Sequence, residues 1–533
     1  MSVEIVATYE NIPTGSMANS TTTGNYATNY SQNFVNFNDF KTYRTVPKYA
    51  TLEQGRNKLD GTFINLPANP QGYGYLSTLI SNSSGNFSNN IVITRTYTVN
   101  YTSPGLDFEF DTYTDDHPAT MNVKWYRGTT LLKDEDYTVD SSHYFCDGQV
   151  QAYNKVVITI GNMSKPNRML KIFNIADGLT RQFYNDELEN VEIIEQITNN
   201  NQALNINESN LKILPKNTTG VLFQRTLPFS IWRNSQLYGK FYIDTSTSNT
   251  NKTLYNLKVS DEIKTLESQT YMGGIYTNVT MATLIADIMG DIPYTLDSTA
   301  GAYTISGYLP ILNKREALRQ VAFCTNTFVD TTRSDTIQIK PLPTTVSRNV
   351  QPSEIINIQT TQENITTKIE LSTTTLVTKK RTETDDIYEG KINGKTTTIL
   401  FDNPMFNLTI TGGTIVESNC NYAKITGTAT TTTLQGKEYQ LAESTQAKTN
   451  EFAVSTDIEK VESYETTLTC NNIDIMEALQ FVEFRIKSKF KMGTTQVGDL
   501  INLNGETCRV YCLDYNLKQS EIYAEAEMEA YYG

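Results

Sequence analysis

Apolar and polar side chains alternate at every second position in many stretches of this chain, and this alternation restricts its fold more than any other sequence feature. In one such stretch Leu106, Phe108 and Phe110 alternate with Asp107 and Glu109. A period of two places one set of side chains on the buried face of a strand and the other set in solvent. The chain also contains 32 tyrosines and runs of threonine and asparagine, which favour strands and the turns between them. The sequence therefore predicts a mainly β fold.

The length of the chain indicates several domains, because 533 residues exceed what a single ordinary core holds. Changes of pattern suggest where these domains begin and end. The predicted units are an N-terminal β-sandwich of jelly-roll kind with a polar arm at its start (1–190), a first β-barrel (191–265), a small α+β domain (266–345), a return to the β-barrel (346–383), an inserted β domain (384–448) and a C-terminal β-barrel (449–533).

Helical spacing is confined to a few short segments. Apolar residues recur at helical intervals from Met281 to Ile288, after Thr280 as a candidate N-cap, and Gly290 follows as a candidate C-terminal glycine. Asn313, with a glutamate three residues later, predicts the start of a second helix. A third helix is expected after Asp474.

Turn signals lie between the predicted strands. Ser103-Pro104-Gly105 and Asp147-Gly148 predict turns in the N-terminal sandwich, and Asn393-Gly394 and Asn504-Gly505 predict tight hairpins further on.

Charge and cysteine content exclude several classes of protein. The net charge of −14 argues against binding to nucleic acid, which requires clustered lysine and arginine. The first residues, MSVEIVATYENIP, lack the basic and apolar regions of a secretory signal, and no segment is apolar enough to span a bilayer. We expect the six scattered cysteines to be free thiols of a protein made in a reducing cytoplasm.

The sequence predicts no catalytic site, no metal site and no cofactor. The chain has two histidines, His117 in an acidic turn-like stretch and His143 near a serine and Cys146. A solvated turn is the simpler interpretation of the first, and nothing in the sequence supplies the base and orienting acid that catalysis at the second requires. Nucleophile, zinc-protease, P-loop and dinucleotide motifs are absent from the sequence. A pair of catalytic carboxylates would be defined by its spacing in space, and no pair stands out.

The last predicted strand, 521–531, carries glutamates on one face. Period two places Glu521, Glu525, Glu527 and Glu529 on one side, while Ile522 and the following alternate residues form the apolar side. One interpretation is a solvated outer face. The other is the wall of an aqueous channel, where a row of carboxylates repels passing DNA.

A cluster of aromatic residues in the N-terminal unit has two interpretations. Trp125 and Tyr126, with Tyr144 and Phe145, form either a sugar-stacking platform or a part of the core.

Several segments resemble a family of tail proteins in phages and prophages of Clostridia-type Firmicutes, also found in phage-tail-like bacteriocins. The resemblance covers most of the chain and is most specific in its middle. The segments that carry it are MGGIY (272–276), LIADIMGDIPY (284–294), ISGYLP (305–310), KREALRQVAF (314–323) and VDTTRSD (329–335), with YATLE (49–53), QGYG (71–74), AYNKVVI (152–158) and LQGKEY (434–439). VGDLI (497–501) is similar to the last barrel of tail-tip and baseplate hub proteins.

The resemblance implies a hub-like structural protein of a tail tip or baseplate, made in the host cytoplasm and carried in the virion. Family hubs are commonly trimers whose paired barrels form a ring between the tail tube and a spike. The resemblance therefore implies hub-type β-barrels, a homotrimer, other tail proteins as partners and a channel lined by the glutamate strand. Two alternatives remain: a peripheral receptor- or carbohydrate-binding tail protein that uses the N-terminal sandwich, and a tail-associated hydrolase of the cell wall.

Overall fold

The computed structural model describes residues 4–11, 16, 19–29, 50–53, 55–56, 60–61, 75–111, 114–198, 203–215, 223, 228–251, 253–362, 366–377, 384–451, 460–481 and 484–531. Within these ranges the chain is mainly β and contains several sheets, as predicted. It divides into two compact units. Unit 1 comprises residues 1–188, 214–236 and 248–254, and unit 2 comprises residues 189–213, 237–247 and 255–533.

The strands of unit 1 are numbered here in chain order. They are β1 (Ile5–Asn11), β2 (Ser20–Gly24), β3 (Ala27–Asn29), β4 (Tyr75–Ile80), β5 (Asn86–Phe110), β6 (Thr120–Arg127), β7 (Thr130–Thr138), β8 (His143–Asn162), β9 (Met169–Ala176), β10 (Leu179–Tyr184) and, later in the chain, β13 (Pro228–Arg233). Strand β1 pairs antiparallel with both β10 and β13.

The remaining strands of unit 1 form one antiparallel sheet around the N-terminal core. Their order is β3-β4-β9-β5-β8-β6-β7, and β2 also pairs with β5. Alternate apolar residues of these strands are buried together, among them Ile91, Phe108, Val123, Ile158 and Ile172. The period-two pattern in the sequence therefore builds this core, because each buried residue is separated from the next by one that faces away.

The predicted turns at Ser103–Gly105 and Asp147-Gly148 are wrong, since both lie inside long strands. The ladder between β5 and β8 shifts register at Ser103 and Gly105, where Gly105 lies opposite Asp147. Turn-forming residues there accommodate β-bulges, which bend a strand without ending it.

The main sheet of unit 2 joins strands that are far apart in sequence. These strands are β11 (Leu188–Gln196), β12 (Glu208–Ile213), β14 (Gln236–Ser248), β15 (Tyr255–Asp261), β23 (Val346–Val350), β24 (Ile355–Gln362), β35 (Phe484–Lys491), β36 (Leu500–Leu503), β37 (Glu506–Asn516) and β38 (Tyr523–Ala530). Their order is β14-β15-β12-β11-β37-β38-β35-β24, and β36 pairs with both β37 and β23. The pairing of β11 with β37 joins the segments for which the two barrels are predicted.

A small α+β domain lies between these strands in sequence. It contains α1 (Glu262–Thr265), β16 (Thr270–Tyr271), β17 (Gly274–Thr280), α2 (Met281–Met289), β18 (Tyr294–Leu296), α3 (Ser298–Gly301), β19 (Thr304–Leu309), β20 (Leu312–Asn313), α4 (Lys314–Cys324), β21 (Thr327–Asp330) and β22 (Ile337–Pro341), and β34 (Leu468–Cys470) and α5 (Ile475–Ala478) follow much later.

The predicted helix starts in the α+β domain are confirmed. The side chain of Thr280 accepts a hydrogen bond from the backbone amide of Thr283 at the start of α2, and that of Asn313 accepts one from Glu316 at the start of α4. Helix α5, predicted after Asp474, is capped by that residue but has four residues only, because Leu479 is extended.

The remaining strands of unit 2 form a separate inserted body. A ribbon of β25 (Lys368–Val377) and β32 (Gln440–Thr449), with β33 (Val461–Thr466) beside β25, leads to two three-stranded sheets. These sheets contain β26 (Asp385–Gly390), β27 (Thr397–Leu400), β28 (Met405–Thr411), β29 (Thr414–Ser418), β30 (Tyr422–Thr426) and β31 (Thr432–Glu438).

The two asparagine-glycine predictions have opposite outcomes. Asn504-Gly505 joins β36 and β37, which pair directly, so this hairpin is confirmed. Asn393 and Gly394 also have positive φ angles. However, β26 pairs with β31 and β27 pairs with β30, so the predicted hairpin is wrong. Most of the predicted polar arm and the segment 71–74 lie outside the described residues.

Candidate functional site: a charge ladder and two joints

The final strand shows the alternation that the sequence predicts. Ala524, Ala526 and Met528 are buried, whereas Glu525 and Glu527 are exposed. Glu521 lies just before β38 and is also exposed. Glu529 follows the same alternation and is half-buried. The four glutamates therefore share one face of the sheet, which we call the glutamate face.

Each of these glutamates is paired with a cation on β35. Lys489 lies 2.9 Å from Glu525, Lys491 lies 2.9 Å from Glu521, and Lys487 and Arg485 pair with Glu527 and Glu529. The register of β35 and β38 sets three of these pairs directly opposite one another. We call these eight side chains the charge ladder. The sequence carries a signal for its basic half, because RIKSKFK (485–491) also alternates with period two.

The ladder is balanced in charge. Its four glutamates face three lysines and one arginine. Hydrogen bonds to the glutamates raise the pKa of Lys487 and of Lys491, so both stay charged at neutral pH. The sequence argument assumes an uncompensated row of carboxylates, and that assumption is wrong because the neighbouring strand supplies the cations.

Paired charges also occur on β12 and β15. Lys212 lies 2.8 Å from Glu189, and Lys258 lies 2.8 Å from Glu208. Asn210, between them on β12, donates a hydrogen bond to Glu192 of β11. A shallow cleft of about 360 Å³ lies here, lined by Asn190, Asn210, Leu211, Lys212, Thr245, Thr247, Asn256, Leu257 and Lys258.

Of the aromatic residues proposed for a stacking platform, Trp125 lies in the core and Tyr126 is partly covered. Trp125 is 0% exposed and belongs to the core with Met121 and Val123. A Cβ atom at Gly148 would come within 2.7 Å of its ring, so this glycine makes room for the indole. Tyr126 is half-buried, and the ammonium of Lys155 lies 4.3 Å from its ring centroid. The structure thus gives Trp125 no surface for a sugar and covers one face of Tyr126.

The two histidines have different surroundings. His143 is paired with Asp107, with 2.9 Å between Nε2 and Oδ1. His117 is buried, and its Nδ1 lies 2.9 Å from the carbonyl oxygen of Pro118. Within the described ranges, no three histidine, cysteine, aspartate or glutamate side chains are grouped as metal ligands. All six cysteines are free thiols, as predicted.

The segment 272–276 forms a first joint, between the α+β domain and the inserted body. Asn421 donates hydrogen bonds to the carbonyl oxygens of Met272 and Leu309, at 2.8 and 2.9 Å, and accepts one from the hydroxyl of Tyr308 at 2.9 Å. Gly273 has a φ of +64°, and a Cβ atom there would come within 2.1 Å of the Leu309 carbonyl oxygen. Only glycine allows this close approach. We call this contact the insert joint.

The segment 329–335 forms a second joint, between the α+β domain and the main sheet. Thr331 donates a hydrogen bond of 2.6 Å to Asp261 and accepts one of 2.9 Å from Asn207. Asn207 directly precedes β12 and Asp261 is the last residue of β15, so this threonine ties the loop after β21 to the main sheet.

An arginine completes the second joint. Arg333, whose φ is +51°, donates to the carbonyl oxygen of Thr495 at 2.8 Å. Its guanidinium also lies 5.5 Å from the ring centroid of Tyr238. We call the contacts of Thr331 and Arg333, together with the neighbouring Glu195 and Tyr515, the barrel joint.

Both joints fall in segments that carry the family resemblance, but the sequence alone does not reveal their role. Leu309 and Asn421, which are joined by a hydrogen bond, are 112 residues apart in the sequence, and Asp261 and Thr331 are 70 residues apart.

In the described part of the chain, no helix is long and apolar enough to cross a membrane.

Comparison with known proteins gave structural likenesses only. No family model matches the chain, and no curated protein matches it. Among solved structures, a 43 kDa tail protein of prophage MuSo2 from Shewanella oneidensis is 8% identical, with a TM-score of 0.38 over 63% of this chain and 93% of the other. Prophage tail protein gp18 from Listeria monocytogenes EGD-e is 8% identical, with a TM-score of 0.39 over 66% and 91%. A tail protein from Neisseria meningitidis MC58 is 7% identical, with a TM-score of 0.39 over 66% and 93%.

Proposed function

We propose that this chain is a structural subunit of a phage-tail-like particle, located at the tail tip or baseplate as a hub. The observation that carries the proposal is where the resembling residues lie. Two of the most specific segments, 272–276 and 329–335, form the insert joint and the barrel joint. Residues that resemble those of tail proteins thus connect the three bodies of unit 2, which supports a shared architecture.

The proposed role is mechanical. A hub joins the tail tube to the distal spike or fibres and surrounds the path of the tail contents. The main sheet of unit 2 fits this role because β11 and β37 make one continuous sheet from two sequence segments. Copies of such a sheet arranged around an axis would form a wall, and we propose a homotrimer in keeping with the resemblance.

We further propose that the charge ladder faces the channel. Its mechanism differs from the repulsion expected for bare carboxylates. Because each anion is paired with a cation on the next strand, the ladder is hydrated but has little net field at a distance. Such a lining lets a passing polymer of either charge move without sticking.

Localisation in intact particles tests the hub role. Particles would be imaged by electron cryo-microscopy after labelling with an antibody fragment against the inserted body. We expect density that surrounds the tail axis at its distal end, with a threefold arrangement of the label. Peripheral density, away from the axis, would contradict the hub proposal and favour an adhesin.

Chemical labelling tests the orientation of the ladder. The variant Glu525→Cys would be reacted with a maleimide bearing a large polymer, in the isolated chain and in the assembled particle. We expect reaction in the isolated chain and protection in the particle. Asp134→Cys, an exposed position of unit 1, is the matched control for access. Equal labelling of the Glu525→Cys variant in both states would show that the ladder does not face a channel.

A further inference from the structure

Glu195 is buried in the barrel joint, and its charge is incompletely compensated there. Its side chain is 1% exposed, and its closest cation is Arg333, with 3.9 Å between Oε1 and Nε. The hydroxyl of Tyr515 donates a hydrogen bond to Oε1. Within the described residues, Oε2 of Glu195 and Nε of Arg333 have no hydrogen-bond partner. A buried carboxylate with one oxygen lacking a donor is costly, so this geometry favours the protonated acid.

The groups around Glu195 act in opposite directions on its proton affinity. Burial raises the pKa of Glu195 to about 7, and the nearby Asp330 and Asp499 raise it too, while Arg333 and Tyr515 lower it. The balance leaves the carboxyl half-protonated near neutral pH, where small changes in its surroundings change its charge.

Other titratable groups also lie at this joint. Burial raises the pKa of Asp261 to about 7, against the hydrogen bonds from Thr331 and from backbone amides. Among the described residues, Cys512, Tyr238 and Lys340 also lie at this joint, and Lys340 pairs with Asp330.

Glu195 and Arg333 come from different bodies of unit 2. Glu195 lies on β11 of the main sheet, and Arg333 lies in the loop between β21 and β22 of the α+β domain. If the α+β domain moves away from the sheet, water reaches Glu195 and its proton affinity returns to that of an exposed glutamate. The docked arrangement therefore binds the proton more tightly than the undocked one, and by linkage the proton favours docking.

We propose that Glu195 and Arg333 form a proton-sensitive joint, in which protonation of Glu195 tightens the docking of the α+β domain on the main sheet. Loss of the proton loosens the docking, because the charged carboxylate is then held with an unfilled oxygen in a buried place. The proposal concerns unit 2 alone and holds whatever particle the chain belongs to.

Amide hydrogen exchange of the full chain tests this joint. Protection of peptides from α4 and β21 would be followed from pH 6 to pH 8, with the intrinsic exchange rate divided out. We expect protection in the wild type to fall by at least roughly tenfold across this range, because Glu195 alone supplies that factor when it titrates near the middle of the range, and Asp261 adds to it. In Glu195→Gln the fall should be about tenfold smaller than in the wild type, and Asp261 accounts for what remains. Glu192→Gln, a change on the opposite face of the same strand, should keep the whole fall.

A second variant keeps the test decisive if Glu195→Gln fails to fold. Tyr515→Phe removes a hydrogen bond that stabilises the charged carboxylate, so the midpoint of the protection change should move to higher pH. A residue that served only to pack the joint would change the protection without moving this midpoint. A fall of less than twofold in the wild type, a fall in Glu195→Gln as large as that in the wild type, or an unmoved midpoint in Tyr515→Phe would each overturn the proposal.

Discussion

Two buried arginine–carboxylate pairs, one in each unit, differ in how closely their charges are held. In unit 1, Arg95 donates to the carbonyl oxygen of Ile175 at 2.7 Å and to the hydroxyl of Ser20 at 3.2 Å, and lies 3.5 Å from Asp177. Tyr97 donates a further hydrogen bond of 2.5 Å to Asp177. In unit 2, Arg333 and Glu195 are separated by 3.9 Å.

The difference follows from where the partners come from. The groups around Arg95 belong to one sheet and its adjoining turn, so strand register positions them together. The groups around Arg333 belong to the main sheet, to the α+β domain and to the segment 492–495, so their geometry is a compromise among separately folded bodies. A pair inside one body can hold its charge permanently, whereas a pair between bodies can respond to its surroundings.

The largest expected effect is at the unit 1 pair. Asp177→Asn should destabilise unit 1 by about 3–5 kcal/mol, because it leaves Arg95 buried without its counter-charge. Tryptophan fluorescence during urea unfolding reports this, since Trp125 and Trp232, the two tryptophans of the chain, lie in unit 1. Asp147→Asn, an exposed change on β8, is the control. A cost below about 1 kcal/mol for Asp177→Asn would show that the unit 1 pair holds its charge no more firmly than the pair in unit 2.

The second effect is a dependence of unit 2 stability on pH. The pKa of Glu195 is raised to about 7 in the folded chain, so its contribution is fully present below the ordinary glutamate value and is lost as the pH rises through 7. We expect the free energy of unfolding to fall by roughly 2 kcal/mol between pH 5 and pH 8 from this group. Asp261 acts in the same direction.

Calorimetric unfolding at both pH values measures this dependence. Glu195→Gln should reduce the fall in the free energy of unfolding of unit 2 by roughly 2 kcal/mol and leave the part that comes from Asp261, whereas Glu192→Gln should leave the fall unchanged. A free energy of unfolding that rises from pH 5 to pH 8 in the wild type would contradict the predicted direction of the change.

A smaller difference is expected between Tyr97 and Tyr515, the tyrosines that donate hydrogen bonds to Asp177 and Glu195. Tyr97→Phe removes a hydrogen bond to a charged carboxylate and should cost about 1.5–3 kcal/mol at pH 6 and at pH 8. Tyr515→Phe should cost a similar amount at pH 8 but less at pH 6, where Glu195 is largely protonated. Urea unfolding of both variants at the two pH values checks this. Equal costs for Tyr515→Phe at both values would show that Glu195 keeps one protonation state.

The smallest effect is expected in the charge ladder, which serves as the exposed reference for both buried pairs. Glu525→Gln leaves Lys489 in contact with water, so no uncompensated buried charge results. The urea midpoint should change no more than it does for Asp147→Asn, and added salt should reduce the difference further. A large loss of stability would show that the ladder is shielded from solvent in the isolated chain.

The sequence predicts what depends on neighbours along the chain. The caps of α2 and α4, the hairpin at Asn504-Gly505 and the glutamate face of β38 all involve residues a few positions apart, where backbone geometry decides the contact. The predictions fail where pairing between distant strands decides. Asn393-Gly394 makes its turn, but the flanking strands pair elsewhere.

The candidate site shows the same limit. Periodicity alone finds the glutamates of β38, but their cations lie on another strand, and the bond between Glu195 and Tyr515 spans 320 residues. The sequence leaves a surface role open for Trp125, although its alternation with Met121 and Val123 already favours the core. Sequence periodicity gives the face of a strand, but tertiary pairing determines what that face meets.

The split origin of the main sheet of unit 2 has a consequence for the time course of synthesis. Strand β24 ends at Gln362, and its partner β35 begins at Phe484. At roughly 5–20 residues per second, a ribosome takes on the order of ten seconds to make the intervening chain. During that delay β24, which contains no charged residue and has Ile356 and Ile358 at 59% and 41% exposure even in the finished fold, lacks its neighbour. The nascent chain is thus vulnerable to wrong strand pairing in this interval, and slower translation of residues 363–483 would lengthen it.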